Sequence, residues 1–377
     1  MKCQPYDAGN VGNVNTCMIN KETYCSLATS GWDSRNGKMC CYASLPKYPT
    51  FSDMKQDEKV KNLQHDLANG TKNPICNTCW HLEEVGNGSM REQFLHEKDQ
   101  DQMFQENQTK KLKHLVLDSG VNCNFACRTC GPWSSSGHIR EWELRTGNKW
   151  ENDVNDITKL LQEDLSEVQS IEVLGGEPFI NLEHLKILEK IKDNKKLRLL
   201  SYTTNGSVKL REDIHKYFNN FQATNICLSI DAIDKPFGYV RTLGKWQVVS
   251  ENVIALKQLQ KIYPGLSISV HITVSVLNVL YLPKLIAWIK QHNFPYDFTF
   301  CTHPTEYSLD ILNDAQKNLV IESIKDVSGL EPVVSHIESC DYNSKLVQKF
   351  WEATEFTKNY RKLDLEEYLP ELHTLIK

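Results

Sequence analysis

No stretch of this chain stays apolar for long enough to cross a bilayer. Its most hydrophobic segment, LSISVHITVSVLNVLYLPKLIAWI, residues 266 to 289, is broken by His271, Asn278, Pro283 and Lys284, whereas a span needs roughly 20 uninterrupted apolar residues. The first residues, MKCQPYDAGNVGNVN, have no basic patch followed by an apolar run, so no secretory leader and a cytoplasmic location are expected. The N-x-[ST] triplets at Asn69, Asn87, Asn107 and Asn205 are then expected to stay unmodified, because glycosylation requires secretion. An excess of positive charge is missing too. The 43 Lys and Arg face 48 Asp and Glu, for a net charge of -5, which gives no electrostatic footprint for nucleic acid. There is no low-complexity tract and no repeat beyond a strand-and-helix unit.

Cysteine is what the chain has in plenty. Thirteen thiols are many for a reducing compartment, where clustered cysteines hold metal more often than they form disulfides. They gather as Cys25 with Cys40 and Cys41, then Cys76 and Cys79, then Cys123, Cys127 and Cys130, while Cys3, Cys17, Cys227, Cys301 and Cys340 lie apart. With 40% hydrophobic residues the chain can bury a core and fold as one large domain plus a smaller one.

Residues 1 to 105 are rich in Asn, Gly, Asp and Lys, with short helices expected at 51 to 68 and 89 to 106. From Lys111 onward, apolar runs of strand length alternate with helix-length amphipathic segments. The runs are 113 to 118, 170 to 176, 197 to 204, 225 to 231, 267 to 275 and 297 to 302. Helices are expected near 153 to 166, 181 to 194, 208 to 219, 246 to 262 and 281 to 292, and again at 313 to 328, 343 to 356 and 365 to 376. Six such units predict an α/β fold, a partial (β/α)6 TIM-like barrel of parallel strands joined by right-handed crossovers. It would span 106 to 304, between a cysteine-rich N-terminal module (1 to 105) and a C-terminal helical extension (305 to 377). The fifth run alternates Ile268, Val270, Ile272 and Val274 with Ser269, His271, Thr273 and Ser275. Parallel strands under helices are normally apolar on both faces, so a polar inner face suits a ligand wall. A two-faced antiparallel sheet with one wet side is the plainer alternative.

CNFACRTC, residues 123 to 130, holds three thiols in C-x3-C-x2-C with no fourth following at matching spacing. A structural zinc site takes four protein ligands. A four-iron cluster held by three thiolates leaves one iron open to a small molecule. Together with GGEP (Gly175 to Pro178) after the second strand, TTNG (Thr203 to Gly206) after the third and SID (Ser229 to Asp231) in the fourth, the triplet resembles the radical S-adenosylmethionine enzymes over residues 111 to 302. Taken singly, GGEP and TTNG are ordinary turns and Ser229 an ordinary core serine. The resemblance implies that Cys123, Cys127 and Cys130 hold a [4Fe-4S] cluster whose open iron is chelated by S-adenosylmethionine. It further implies that Gly175, Gly176 and Glu177 meet the cofactor's amino group, that Ser229, Thr204 and Asn205 reach ribose or carboxylate, and that Phe125 flanks adenine. Asp231 and His271 complete the expected cofactor-binding set, while His271 and His303 also read as satisfied wall residues first and substrate contacts second. Cys227 and Cys301 read as buried small hydrophobes or as radical donors. The chain departs from the family in having Thr129 just before the third cysteine, where an aromatic or large apolar residue is usual.

Around Cys25, Cys40, Cys41, Cys76 and Cys79 the text W-D-S-R-N-G-K-M-C-C and C-x2-C-W-x6-N-G-S-M-R-E resembles the shortened SPASM-like auxiliary-cluster module called twitch, here placed before the barrel. That implies an auxiliary [4Fe-4S] cluster on Cys25, Cys41, Cys76 and Cys79, with Cys40 the rival to Cys41 and a four-cysteine zinc site the alternative. Arg91 braces this module or touches substrate. The expected activity is reductive cleavage of S-adenosylmethionine and hydrogen abstraction from a peptide or protein side chain, with ferredoxin or flavodoxin as reductant. The alternatives are dehydrogenation or rearrangement of a small molecule such as a sugar alcohol or nucleotide, and a non-catalytic iron-sulfur electron-transfer protein.

Overall fold

The computed structural model of the chain describes residues 23, 25 to 84, 89, 91 and 92, 111 to 151 and 156 to 377. Cys3, Cys17, Asn87, Asn107 and most of the helix expected at 89 to 106 lie outside the described residues. Seven strands form one sheet in chain order: β1 Gly31–Asp33, β2 His114–Asp118, β3 Ser170–Leu174, β4 Leu199–Thr204, β5 Ala223–Ser229, β6 Leu266–Val274 and β7 Tyr296–Phe300. β1 pairs with β2, and β4, β5, β6 and β7 pair in succession, always in parallel. The six runs read from the sequence are β2 to β7; β1, only three residues long, is an addition from the N-terminal region. Chain contacts divide the molecule into two compact units, residues 1 to 118, 155 to 172 and 183 to 198 in one, and 119 to 154, 173 to 182 and 199 to 377 in the other.

In the first unit, two helices stand where one was expected. Phe51–Gln56 stops because Asp57 caps its successor, accepting from the Lys59 N–H at 2.7 Å, and Glu58–Ala68 follows. Val60, Leu63 and Leu67, spaced three and four apart, bury one face, the stripe an amphipathic helix presents to a core. Of the helix expected at 153 to 166, residues 153 to 155 lie outside the described residues, and the rest holds a 3-10 stretch, Ile157–Gln162.

The second unit carries the period-2 alternation on which the site depends. Ile226, Leu228, Val270, Ile272 and Val274 are buried, while Cys227, Ser229, His271 and Thr273 between them are only half-buried. Each fully buried branched side chain contributes about 1.5 to 3 kcal/mol. The register sets Thr203 beside Cys227 and Ser229 beside His271, so the polar positions form one continuous face. The helix Trp246–Leu259 buries Val249, Val253 and Leu256, and Asn313 opens Asp314–Ile324 with a capping box to Gln316. Helices Ile139–Thr146, Asp234–Val240 and Glu331–Ser339 were not expected.

Candidate active site

The loop after β2 is held from several directions. The Ala126 and Arg128 N–H groups donate to the Thr242 and Val240 carbonyls, each at 2.8 Å, and Ser135 Oγ donates to the Phe125 carbonyl at 2.6 Å. Phe125 is buried edge-on against Phe237. Beneath them Glu141 accepts from Arg128 and Arg361, each at 3.2 Å, and Arg128 also donates to Tyr307 Oη at 2.8 Å. These anchors fix the backbone that carries Cys123, Cys127 and Cys130.

The GGEP turn closes on the same loop. Gly176 N–H donates to the Gly120 carbonyl and Glu177 N–H to that of Asn122, at 2.6 and 2.8 Å. Gly175 has φ +128°, a conformation open to glycine alone at little cost. A Cβ on Gly176 would stand 2.3 Å from the Asn122 carbonyl oxygen. Both glycines are therefore required by the turn itself.

The three thiols open onto a cavity of about 190 Å³ that Phe125, Thr129, Gly175, Gly176, Thr203, Thr204, Asn205, Ser229, Arg241 and Thr273 also line. Thr203, Ser229 and Thr273 come from the polar faces of β4, β5 and β6, so that face looks onto the thiols as expected. Cys123 Sγ accepts from Phe125 N–H at 3.4 Å and from Asn205 Nδ2 at 3.8 Å, and Cys127 Sγ from Arg241 Nη1 at 3.7 Å. Burial raises all three thiols, Cys127 to about 12 and Cys130 to about 11, with Arg241 pulling both the other way. Thiols so placed lose their protons to a metal. The donor set fits a group held by three thiolates, since two N–H donors and a guanidinium already point at the sulfurs.

Arg241 was not expected, because a lone Arg in YVRTLG carries no spacing signal. Its Nε lies 2.8 Å from Asp231 Oδ2, yet neither atom makes an aligned hydrogen bond. The buried guanidinium thus keeps donor capacity toward the cavity.

Three expected cofactor residues are not among those lining it. Glu177 is wholly buried, its carboxylate accepting from Thr204 Oγ1 (2.7 Å), Asn205 N–H (2.8 Å) and Phe179 N–H (3.2 Å). It ties GGEP to TTNG. Asp231 accepts from Thr273 N–H at 2.8 Å while pairing with Arg241, and His271 bonds Asp297 through Nδ1 and Thr299 Oγ1 through Nε2. Cys301 is buried, its thiol directed to the His303 and Pro304 carbonyls, and Cys227 is half-buried on β5.

In the other unit, Cys25 caps the short helix Ser26–Ser30, Cys76 ends the turn Pro74–Cys76 and Cys79 lies in Asn77–Glu84. Ser44 N–H donates to the Ile75 carbonyl at 2.9 Å, drawing the loop of Cys40 and Cys41 to that turn. Burial raises Cys25 to about 11 and Cys76 to about 12, and Cys40 still further. Cys25 is the electrostatic neighbour that Cys40 and Cys76 share, and Cys79 acts on Cys25 and Cys76. Burial raises the Cys41 thiol too, with Arg35 acting to lower it and Asp33 and Glu172 to raise it. Arg91 stacks 5.0 Å over Trp80 and donates to Glu83 at 2.9 Å, a bracing position. Among the described residues no three His, Cys, Asp or Glu side chains converge tightly enough for a single metal ion.

A family model described as the Radical SAM superfamily matches residues 118–286. The GTP 3',8-cyclase of Haemophilus ducreyi is 24% identical over 185 residues, 48% of this chain and 50% of the relative. The one from Haemophilus influenzae (strain PittEE) is 26% identical over 147 residues, 38% of this chain and 41% of the relative. The chain thus spans about half the length of the curated relatives it matches. Among solved structures, native anSMEcpe with bound AdoMet aligns with a TM-score of 0.40 at 16% identity, covering 66% of this chain and 67% of that one. Streptococcus suis SuiB bound to precursor peptide SuiA aligns at 0.37 and 14%, covering 76% and 67%. The match to the Radical SAM superfamily runs over residues 118–286, across the three-thiol loop, the GGEP and TTNG turns and the polar strand faces that meet at one cavity.

Proposed function

We propose that this enzyme abstracts hydrogen from a peptide or protein side chain. Cys123, Cys127 and Cys130 would hold a [4Fe-4S] cluster, which with S-adenosylmethionine would supply radical hydrogen-abstraction chemistry at this cavity. Phe125 N–H, Asn205 and Arg241 steady the thiolates, and Arg241, together with Ser229 and Thr204, suits the cofactor's carboxylate and ribose. Glu177 positions Thr204 and Asn205 from behind. The buried wall of Ile226, Leu228, Val270 and Ile272 keeps water and stray hydrogen donors away from the rear of the cavity.

The observation that carries the peptide reading is the open side of the sheet. On β7, Asp297 has 72% of its side chain exposed and Thr299 is exposed, although both are inward positions in register with His271 and Thr273. A chain-like substrate can enter along such an edge. GTP, on which the curated relatives act by name, asks for several cations, and among the described residues Arg241 is the one basic residue lining the cavity.

The N-terminal thiols suit an auxiliary iron-sulfur cluster on Cys25, Cys40, Cys76 and Cys79, with Cys40 in place of Cys41.

The test is isotopic. The reconstituted enzyme is given dithionite, S-adenosylmethionine and either a perdeuterated peptide pool or perdeuterated GTP. Deuterium in the 5'-deoxyadenosine from the peptides alone supports the proposal; deuterium from GTP alone refutes it.

A further inference from the structure

β7 comes last in the sheet order, with β6 on one side and, among the described residues, no strand on the other. The ladder decides which of its backbone groups face outward. The Pro295 carbonyl accepts from Val270 N–H at 2.9 Å, and Cys301 N–H donates to the Val274 carbonyl at 2.8 Å. Successive residues of a strand address its two sides alternately, so Asp297 and Thr299, in phase with Pro295 and Cys301, bond β6. Tyr296, Phe298 and Phe300 direct their N–H and C=O groups the other way, where no hydrogen bond among the described residues meets them.

Little blunts this edge. Sheets protect a free edge with lysine, proline, a bulge or a charge turned inward. Tyr296–Phe300 is YDFTF, without Lys or Pro, and its register with β6 runs unbroken. Its one charge, Asp297, is bonded to His271. Aromatic contacts already serve its other side chains: Phe300 stacks on His336, centroids 3.7 Å apart, and Tyr296 stands edge-on to Phe298 at 5.5 Å. What remains unmet is a row of backbone groups, and another extended backbone offers donors and acceptors at the same repeat.

The edge also continues the site. Thr273 lines the thiol cavity and lies in register with Thr299. A strand laid beside β7 would carry that row one step further, to an inward side chain of its own, while its alternate side chains turned away. We propose that a peptide substrate binds as an added strand on the free edge of β7, gripped by the N–H and C=O groups of Phe298 and Phe300, with the residue beside Thr299 turned toward the cavity. This rests on the function proposed above and adds that the grip is on backbone, with side chains read at every second position.

The experiment follows amide hydrogen exchange in the reconstituted holoenzyme alone, with a pool of short peptides of random sequence, and with the same pool N-methylated at every amide. Without peptide, the Phe298 and Phe300 amides should exchange fast and those of Asp297 and Thr299 slowly. The plain pool is expected to slow the first pair about tenfold or more, and the N-methylated pool to leave them fast. Phe298→Pro removes one outward N–H at an edge position that tolerates proline, and Phe298→Val keeps it. With perdeuterated peptides, deuterium reaching 5'-deoxyadenosine should be about tenfold lower in the proline variant than in the valine variant. Slow exchange at Ile272 shows that the sheet has survived the substitution; if it has not, the wild-type exchange result decides alone. Equal protection by both pools, or equal transfer in both variants with the sheet intact, would overturn the proposal. So would protection of Phe298 and Phe300 that needs no peptide and grows with protein concentration, which would assign the edge to a second copy of the chain. Deuterium transfer from no peptide at all, even in wild type, would instead refute the underlying function, and this inference with it.

Discussion

Arg241 shows how much one side chain settles. It is buried against Asp231 and Cys127 at once, so Arg241→Leu strands a buried carboxylate, a change that typically costs about 3 to 5 kcal/mol. The expected result is a lower urea midpoint together with weaker binding of S-adenosylmethionine, measured by equilibrium dialysis. His114 acts through the solvent instead. Burial first, then Lys113 and Arg198, hold its pKa near 4 in place of 6.5. The fold therefore keeps this contribution whole above pH 6.5 and loses it as pH falls toward 4, because the unfolded chain takes up the proton first. At about 1.4 kcal/mol per pH unit, the loss is on the order of 3 kcal/mol, and His138, also depressed by burial, adds in the same direction. Urea midpoints measured across this range should slope less steeply in His114→Leu than in wild type.

At the scale of the element, the thiol loop and the helix Ile139–Thr146 stand or fall together. Glu141 lies between the guanidinia of Arg128 and Arg361. Glu141→Gln leaves two cations facing each other, and a loss of roughly 3 to 5 kcal/mol is expected, visible as a lower melting temperature and faster loss of iron to a chelator. The strands were legible from the sequence because alternation such as Ile268 to Ser275 leaves a period-2 mark. β1 was not, since Gly31–Asp33 is too short to have a period. Helices failed where local chemistry cut them: Asp57 caps midway through 51 to 68, and the described residues 156 to 166 keep only a 3-10 stretch. The helix Glu331–Ser339 begins on Glu-Pro and carries Val333 and Val334, a poor helical signature that packing overrides.

For the whole molecule, the site was legible wherever residues of one motif lie close in sequence. Cys123, Cys127 and Cys130, GGEP and TTNG meet at one cavity. Arg241 was not legible, because its meaning comes from Asp231 and Cys127, which only the fold brings to it. The same holds for Glu177, whose carboxylate serves TTNG. If Cys40 is the auxiliary ligand, Cys40→Ala should lose the auxiliary iron while Cys41→Ala keeps it, as measured by iron content after anaerobic reconstitution. The measurement that bears most directly on the enzyme as a whole is iron and labile sulfide per chain, with 5'-deoxyadenosine formation under dithionite, in wild type and in the Cys123→Ala, Cys127→Ala, Cys130→Ala triple variant. About eight irons falling to about four, with nucleoside formation abolished, is the predicted result. Unchanged iron content, or nucleoside still formed by the triple variant, would contradict it.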